Sequence, residues 1–180
     1  LQHIANPVLK RMLRHVTREE TEALIKQIKE EVPGVILRTT MLVGFPGETE
    51  ADFEELKQFI RDTKFEKLGV FPYSHEEGTY AAKRFEDDVP EEVKQARADE
   101  IMEIQQQVSA ELNRGKIGQT FKVIIDRKED KFYVGRTEYD SPEVDGEVYI
   151  TAESELQKGD FVNVEITDAE DYDLFGVLIV

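Results

Sequence analysis

Apolar residues recur at two different spacings along the chain, and the change in spacing divides it into two parts. Up to about residue 118, stretches with apolar residues three or four positions apart, typical of helices, alternate with short apolar runs typical of buried strands. From residue 119 onward, short strand-like runs are separated by turn residues. The pattern therefore predicts an α/β domain over residues 1–118 and a small all-β domain over residues 119–180.

Helices of the first part carry recognisable start and stop signals. A helix over residues 17–31 opens with Thr17-Arg18-Glu19-Glu20, in which the Thr17 hydroxyl can accept from the Glu20 amide while the Glu20 carboxylate reaches back. Pro33-Gly34 ends this helix. Thr49-Glu50-Ala51-Asp52 is a second capping signal, followed by Phe53, Leu56, Phe59 and Ile60 on one helix face. Further helices are predicted over residues 6–15 and 88–114.

Strands are predicted in both parts, in different arrangements. In the first part, strands over residues 35–43 and 67–73 flank the helix opened by Thr49, which is the spacing of a crossover between parallel strands. In the second part, five strands are predicted over residues 120–126, 132–135, 147–150, 161–167 and 174–180. Five short strands in about 60 residues favour a small closed barrel.

Charge is unevenly distributed between the two parts. The 180 residues carry 23 Lys and Arg against 39 Asp and Glu, a formal net charge of -16. Residues 119–180 hold 6 of the basic and 16 of the acidic residues, and therefore most of the excess. Because phosphate groups are bound by Lys and Arg that displace counterions, this balance argues against nucleic acid and anionic membranes. It favours a basic partner.

The sequence lacks the residues or patterns that several kinds of site and a membrane location require. With no cysteine, these residues offer no thiolate nucleophile and no Cys-ligated zinc or iron–sulfur site, and the three histidines have no ligand spacing, so we expect no metal site. No apolar run is long enough to span a membrane, and no signal pattern opens the chain, so a cytoplasmic location is expected. The chain begins at Leu1 rather than Met, so we expect it to be a piece of a longer protein.

The most specific stretch runs from Met41 to Thr49, where a predicted strand continues into Gly44-Phe45-Pro46-Gly47 and then into a capped helix. Ligands of parallel α/β folds bind at the carboxyl ends of strands, and glycine lets backbone approach a ligand closely. The stretch is neither a Walker loop nor a dinucleotide fingerprint, because the required Lys and spaced glycines are missing. Two interpretations stay open: a cofactor-facing loop, and a tight strand-to-helix turn.

This stretch belongs to a series of motifs that occur in one order along nearly the whole chain. The series consists of Leu1-Gln2-His3-Ile4-Ala5-Asn6, Leu9-Lys10-Arg11-Met12-Leu13-Arg14, Leu37-Arg38-Thr39-Thr40, Gly44-Phe45-Pro46-Gly47-Glu48-Thr49, Phe71-Pro72-Tyr73-Ser74 and Glu77-Gly78-Thr79-Tyr80-Ala81-Ala82. It resembles the radical-SAM methylthiotransferases. The run from Gly135-Arg136-Thr137-Glu138-Tyr139 to Gly146 resembles the start of their C-terminal TRAM domain, specifically of the RimO type.

The resemblance implies a fold and an activity. The fold would be the later part of an α/β radical-SAM TIM-like barrel, since a complete barrel takes about 250 residues, followed by a small all-β, OB-like TRAM barrel. The family cleaves S-adenosylmethionine (SAM) at one 4Fe-4S cluster and uses a second to deliver a methylthio group. In the RimO type the target is the β-carbon of an aspartate in small-subunit ribosomal protein number twelve, and in the MiaB type it is an adenosine of transfer RNA. Lacking the cluster cysteines, this chain would be inactive alone.

The resemblance also implies a set of residues on the SAM side. They are Gln2, His3, Arg38, Val43, Gly44, Phe45, Pro46, Phe71 and Tyr73. The run from Val43 to Pro46 would lie against the adenine, and Phe71 and Tyr73 would stack on or hydrogen-bond the adenosyl group. Gln2 and His3 would face SAM or the substrate. No residue is assigned as catalytic.

Two of these assignments keep an alternative. Arg38 would pair with the methionine carboxylate or the ribose, because a guanidinium offers planar bidentate donors, with Arg14 as the other candidate. A plain ion pair explains Arg38 equally. For His3, a hydrogen-bonded structural histidine explains the residue as well as ligand contact does.

The acidic residues of the TRAM-like part form the predicted partner site. Glu138, Asp140, Glu143 and Asp145 alternate across the turn after Arg136. A barrel that binds transfer RNA needs a basic groove with stacking aromatics, whereas this surface would steer a Lys- and Arg-rich ribosomal protein. Merely solvated acids are the alternative. Three hypotheses remain, namely a RimO-type enzyme, a MiaB-type enzyme and a non-catalytic binding module of the same architecture.

Overall fold

The computed structural model describes residues 1–179, which form two compact units. The first unit is Leu1–Gln105, and the second comprises the described residues from Gln106 onward. The division falls inside one long helix, which contributes its first part to one unit and its last part to the other. The domain boundary drawn at residue 118 reflects a change of sequence pattern, and it stays a prediction.

Two parallel strands and their connecting helices make up the first unit. Its elements are α1 (Asn6–Arg11), α2 (Arg18–Glu31), β1 (Arg38–Val43), α3 (Glu50–Thr63), β2 (Lys67–Pro72), α4 (Tyr80–Arg84) and, as far as Gln105, the helix α5 (Glu91–Arg114). Strand β1 pairs with β2 in register from Arg38 opposite Lys67 to Val43 opposite Pro72. The predicted strand–helix–strand crossover is confirmed. The first predicted helix is shorter than expected, and α4 was not predicted.

Both predicted capping signals are confirmed. The Thr17 hydroxyl accepts from the Glu20 amide at 3.2 Å, and the Glu20 carboxylate accepts from the Thr17 amide. At the start of α3, the Thr49 hydroxyl and the Asp52 carboxylate make the same reciprocal pair. Each cap satisfies amides that the first helical turn leaves unpaired, and contributes about 1 kcal/mol to stability.

One face of the small parallel sheet is buried against helices, and the other is open. Met41 and Val43 of β1 are fully buried in a core with Phe53, Leu56, Phe59 and Ile60 of α3 and Ile101 and Ile104 of α5. Burial of each such side chain contributes about 1.5–3 kcal/mol. On the opposite face, Arg38 and Thr40 of β1 and Phe71 of β2 are exposed.

A closed five-stranded barrel forms the second unit, as the pattern predicted. Its strands are β3 (Thr120–Glu129), β4 (Phe132–Thr137), β5 (Val148–Thr151), β6 (Phe161–Ala169) and β7 (Leu174–Ile179), in the order β3-β4-β5-β7-β6. Only the β5–β7 pair is parallel. The α/β unit followed by this OB-like barrel confirms the predicted fold class. The last predicted strand residue, Val180, lies outside the described residues.

Alternate residues of these strands fill the barrel. Its core consists of Val123, Ile125, Tyr133, Val148, Ile150, Val164, Ile166 and Leu174. Two glycines allow neighbouring strands to approach closely. A Cβ on Gly135 would lie 2.3 Å from the Ile124 carbonyl oxygen, and one on Gly176 would lie 2.5 Å from that of Glu165.

Candidate functional site

Three segments of the first unit converge where β1 and β2 end. The Tyr73 amide donates to the Val43 carbonyl at 2.8 Å, which keeps the two strand ends together. The Leu42 amide donates to the Gln2 carbonyl at 2.8 Å, which places the start of the chain beside β1. Because ligands of parallel α/β folds bind at this edge of the sheet, we take the strand ends as the candidate site.

A buried charged network holds the loop that follows β1. The Glu48 side chain is fully buried and accepts from the Gly44 amide at 2.9 Å and from Arg97 Nη1 at 2.8 Å. His3 lies on the other side, with Nε2 3.4 Å from a Glu48 oxygen but without hydrogen-bond geometry. His3 Nδ1 accepts from the Ala5 amide at 3.1 Å, so Nε2 is the ring nitrogen that lies near Glu48. The network ties the start of the chain, the loop and α5 together.

The two glycines of the loop are required by its conformation and by its neighbours. Gly44 and Gly47 have φ angles of 73° and 79°, in the left-handed region that favours glycine. A Cβ on Gly44 would lie 2.3 Å from Lys94 Cγ, and one on Gly47 would lie 2.5 Å from Arg11 Cζ. At both glycines, the space that a side chain would take is therefore occupied by a cationic residue of the chain itself, Lys94 or Arg11.

Lys94 of α5 is buried beneath the loop in its charged form. Its Nζ lies 2.7 Å from an Asp87 carboxylate oxygen and 5.3 Å from the centroid of the Tyr73 ring. Burial pulls the pKa of Lys94 down, but hydrogen bonds to Asp87 and Glu91 outweigh it, so the pKa lies above its ordinary value. Lys94 is thus a fixed cation and not a general base at neutral pH.

Aromatic rings pack around the same loop. Phe45 meets Tyr73 edge-on with ring centroids 5.1 Å apart, and Phe85 at 6.1 Å. The Tyr73 hydroxyl is hydrogen-bonded to His75 Nδ1 at 3.2 Å. Burial, followed by the negative charge of Asp87, raises the pKa of Tyr73, so the phenol keeps its proton. The strand ends therefore carry a neutral phenol held beside the His75 ring.

The structure brings together most of the expected SAM-side residues, in a buried position. Those gathered at the strand ends and packed within the chain are His3, Val43, Gly44, Phe45, Pro46 and Tyr73. Gln2 is exposed, and its amide oxygen accepts from Arg14. Phe71 has 62% of its surface exposed and stands beside the half-buried Leu42 in the β1–β2 register.

Arg38 is not part of this group. It is the first residue of β1 and lies opposite Lys67, at the end of the sheet away from Val43. Five residue steps along the strand separate the two positions by about 16 Å. Contact of Arg38 with a ligand at the strand ends stays a prediction.

Lys94 and Arg97 are important at the site, and the sequence did not single them out. They occur three residues apart in α5, in a helix rich in charged residues, where cations usually face solvent. Glu48 lay within a motif, yet nothing in its spacing indicated a buried partner. Only the packing of α5 against the loop reveals these roles.

The predicted partner residues of the second unit lie in the loop between β4 and β5. Two of them close that loop: Asp140 accepts from the Thr137 hydroxyl at 2.5 Å, and Asp145 accepts from the Ser141 amide at 2.6 Å. Glu138 and Glu143 are exposed. Partner binding by these four residues stays a prediction.

Comparison with known proteins gives consistent matches over both units. Residues 117–179 match the family model described as the TRAM domain. The protein named ribosomal protein uS12 methylthiotransferase RimO is 58% identical to this chain in Bacteroides thetaiotaomicron, over 99% of this chain and 41% of the relative. Nearly the whole of this chain is therefore similar to part of a protein named RimO. RimO proteins of Parabacteroides distasonis and Christiangramia forsetii are 53% and 54% identical, over 99% and 98% of this chain and 41% and 39% of theirs.

The chain spans about two fifths of the length of these RimO relatives. Within residues 1–179, no three side chains of His, Asp or Glu form a group that could hold a metal ion. The sequence has no cysteine, so its residues do not fit an iron–sulfur cluster. No helix of the described part is long and apolar enough to cross a membrane.

Proposed function

We propose that the chain is part of an enzyme that methylthiolates the β-carbon of an aspartate in ribosomal protein uS12, the small-subunit protein number twelve. The observation that carries the proposal is an identity of 53–58% with proteins of that name over 98–99% of the chain. Cluster ligands would come from residues outside this sequence, so the chain alone would be inactive. An enzyme with this substrate would work in the cytoplasm.

The open face of the sheet supports SAM binding by this part of the enzyme. Phe71 and Leu42 lie side by side at the carboxyl ends of β2 and β1, and form an apolar surface on which a planar ring such as adenine can stack. SAM, when bound with the clusters, would supply the radical chemistry and the transferred group. Gln2 lies beside β1 at this edge of the sheet and offers an amide.

The buried residues of the candidate site would act by positioning. Gly44, Phe45 and Tyr73 have little surface that a ligand could touch. Glu48 and Arg97 hold the loop backbone where it borders Phe71 and Leu42, and a site of this kind needs its supporting side chains fixed.

Charge favours a protein substrate over transfer RNA. Residues 119–180 contain 6 basic and 16 acidic residues, a balance that repels phosphate and attracts the basic surface of a ribosomal protein. A MiaB-type activity would need a basic groove in this part. No observation favours a non-catalytic binding module.

A chimera tests the proposal in an intact enzyme. The matching segment of the Bacteroides thetaiotaomicron RimO is replaced by this chain, and the chimera is expressed in cells that lack their own enzyme. Mass spectrometry of uS12 should then detect one methylthio group on an aspartate, and transfer-RNA hydrolysates should contain none from the chimera. Modified transfer RNA with unmodified uS12, or neither product from a chimera that contains its clusters, would refute the proposal.

Variants of the same chimera test the SAM surface. Phe71→Ala should raise the KM for SAM severalfold, because it removes the stacking ring. Leu24→Ala, which truncates an exposed apolar residue of α2, is the matched control and should leave the KM unchanged. Equal KM values for the two variants would show that the Phe71 ring does not contact SAM.

A further inference from the structure

Strand β2 has one edge paired with β1 and an outer edge without a partner. The two strands form a sheet by themselves, and the start of the chain borders the other edge of β1 through the bond from the Leu42 amide to the Gln2 carbonyl. No strand within residues 1–179 pairs with the outer edge of β2. An unpaired edge presents amides and carbonyls where a further strand would bind. The outer edge of β2 is therefore open to one more strand.

The register identifies the backbone groups of β2 that point outward. The amides of Lys67 and Tyr73 both donate to backbone carbonyls on the β1 side, at 3.2 and 2.8 Å. Because backbone groups alternate between the two sides of a strand, the amides and carbonyls of Leu68 and Val70 point away from β1. Pro72 follows in the same series and has no amide to donate. A strand added at this edge would therefore pair with Leu68 and Val70, and its pairing would end at Pro72.

The outward groups of Leu68 and Val70 are available for pairing. Neither amide has a hydrogen-bond acceptor in the part of the chain that the structure describes. Both side chains are half-buried, because they pack against the core beneath the sheet but have no neighbouring strand. Around Gly69, which lies between them, no atom is within 4 Å of the place that a Cβ would take. An added strand would cover the apolar surface that Leu68 and Val70 leave exposed.

This edge leads directly to the candidate site. Phe71, the exposed ring at the strand ends, lies between the outward-facing Val70 and Pro72. A segment paired along β2 would leave the sheet at Pro72, and its next residues would lie beside Phe71. The exposed carboxylates of Glu76 and Glu77 follow β2 closely along the chain. Their charge complements that of a basic protein segment.

We propose that an extended segment of the protein substrate binds to the outer edge of β2 as an additional strand, which carries the target aspartate to the strand ends. The inference rests on the proposed function and adds the manner in which the substrate is held. Strand addition requires a polypeptide backbone with alternating donors and acceptors, so this edge fits a protein and not a nucleic acid. Main-chain pairing would provide affinity and direction, whatever the side chains of the segment.

Backbone methylation of the substrate tests strand addition in the intact chimeric enzyme. Versions of uS12 are assembled by chemical ligation, each with one N-methyl group on a backbone amide near the target aspartate. On one side of the aspartate, methylation of every second residue should raise the KM for uS12 about two- to tenfold, the effect of one lost hydrogen bond. Methylation of the intervening residues should have a smaller effect, because their amides point away from β2. Equal sensitivity at all positions, or at none, would overturn the proposal.

A variant of the enzyme tests the same hydrogen bonds from the other side. Val70→Pro removes an outward amide that the β1–β2 ladder does not use, and proline is tolerated at such edge positions. It should raise the KM for uS12 about two- to tenfold and leave the KM for SAM unchanged. Val70→Ala keeps the amide and shortens the same side chain, so the difference between the two variants measures the contribution of the amide. Equal KM values for uS12 in these two variants would contradict the proposal.

Hydrogen exchange separates the substrate from other occupants of the edge. In the chimera alone the Leu68 and Val70 amides should exchange rapidly, and added uS12 should slow them. Protection of these amides before uS12 is added would show that the enzyme itself or a second copy covers the edge, and would overturn the proposal. If the chimera methylthiolates uS12 but uS12 does not protect these amides, the inference fails and the proposed function stands. Modified transfer RNA with unmodified uS12 would refute both.

Discussion

Removal of the Glu48 carboxylate tests whether the buried network holds the strand-end loop in place. The side chain is fully buried and binds Arg97 at 2.8 Å and the Gly44 amide at 2.9 Å. Glu48→Ala therefore leaves a buried guanidinium without its buried counter-charge and an amide without its acceptor. Breaking a buried ion pair from one side costs about 3–5 kcal/mol, a large share of the about 5–15 kcal/mol that stabilises a typical domain.

Urea unfolding of the whole chain, followed by far-ultraviolet circular dichroism, measures the loss. Hydrogen exchange at the Leu42 amide, which is bonded to the Gln2 carbonyl, reports on the first unit specifically. Glu50→Gln is the matched control: its carboxylate lies 3.2 Å from the same guanidinium but is exposed. We expect that control to lose less than about 1 kcal/mol.

A second variant separates charge pairing from simple loss of packing. Glu48→Met combined with Arg97→Met removes both buried charges, and should be more stable than Glu48→Ala because no charge is left unpaired. A loss below about 1 kcal/mol for Glu48→Ala would refute the reasoning. So would a double variant whose loss equals the sum of its two single losses.

Two further predictions concern the loop glycine and the barrel. Gly44→Ala should cost about 2–4 kcal/mol in unfolding free energy from left-handed strain and overpacking against Lys94, whereas Gly34→Ala, with φ of 80° and open space around it, should cost about 1 kcal/mol. Glu147 has its pKa lowered by Arg127, so its stabilisation is present above the ordinary pKa of 4.5 and disappears as the pH falls through the folded value. Glu147→Gln should therefore reduce the loss of unfolding free energy between neutral and acid pH. The reduction should be less than about 1 kcal/mol, since both groups are substantially exposed.

Features encoded by neighbouring residues were predictable from the sequence. The two capping boxes at Thr17 and Thr49 depend on residues three positions apart, and both formed as expected. The five barrel strands follow from alternation within each strand, since one face is buried. The resemblance to methylthiotransferases also depended on neighbouring residues, because short motifs carried it. The comparisons with known proteins confirm that resemblance.

Features that depend on distant segments were not predictable. The strand expected from residue 35 begins at Arg38 because regular pairing with β2 begins there, and the Leu37 amide is bonded to the Glu66 side chain instead. Arg97 became part of the candidate site only because α5 packs against the loop. Arg38 was grouped with the strand-end residues through the family resemblance, and the register places it at the other end of β1, so its contact with SAM stays a prediction.

The most specific stretch of the sequence and the surface that would meet a ligand are different parts of the candidate site. Gly44 and Glu48 are enclosed by the chain's own cations, whereas the exposed ring at the sheet edge belongs to Phe71. Substitution at Glu48 should therefore lower stability first and affect binding only through it. Substitution at Phe71 should weaken binding with little change in the unfolding free energy, because a ring that is mostly exposed has little burial to lose. Parallel measurement of both quantities on the two variants would distinguish a supporting residue from a contacting one.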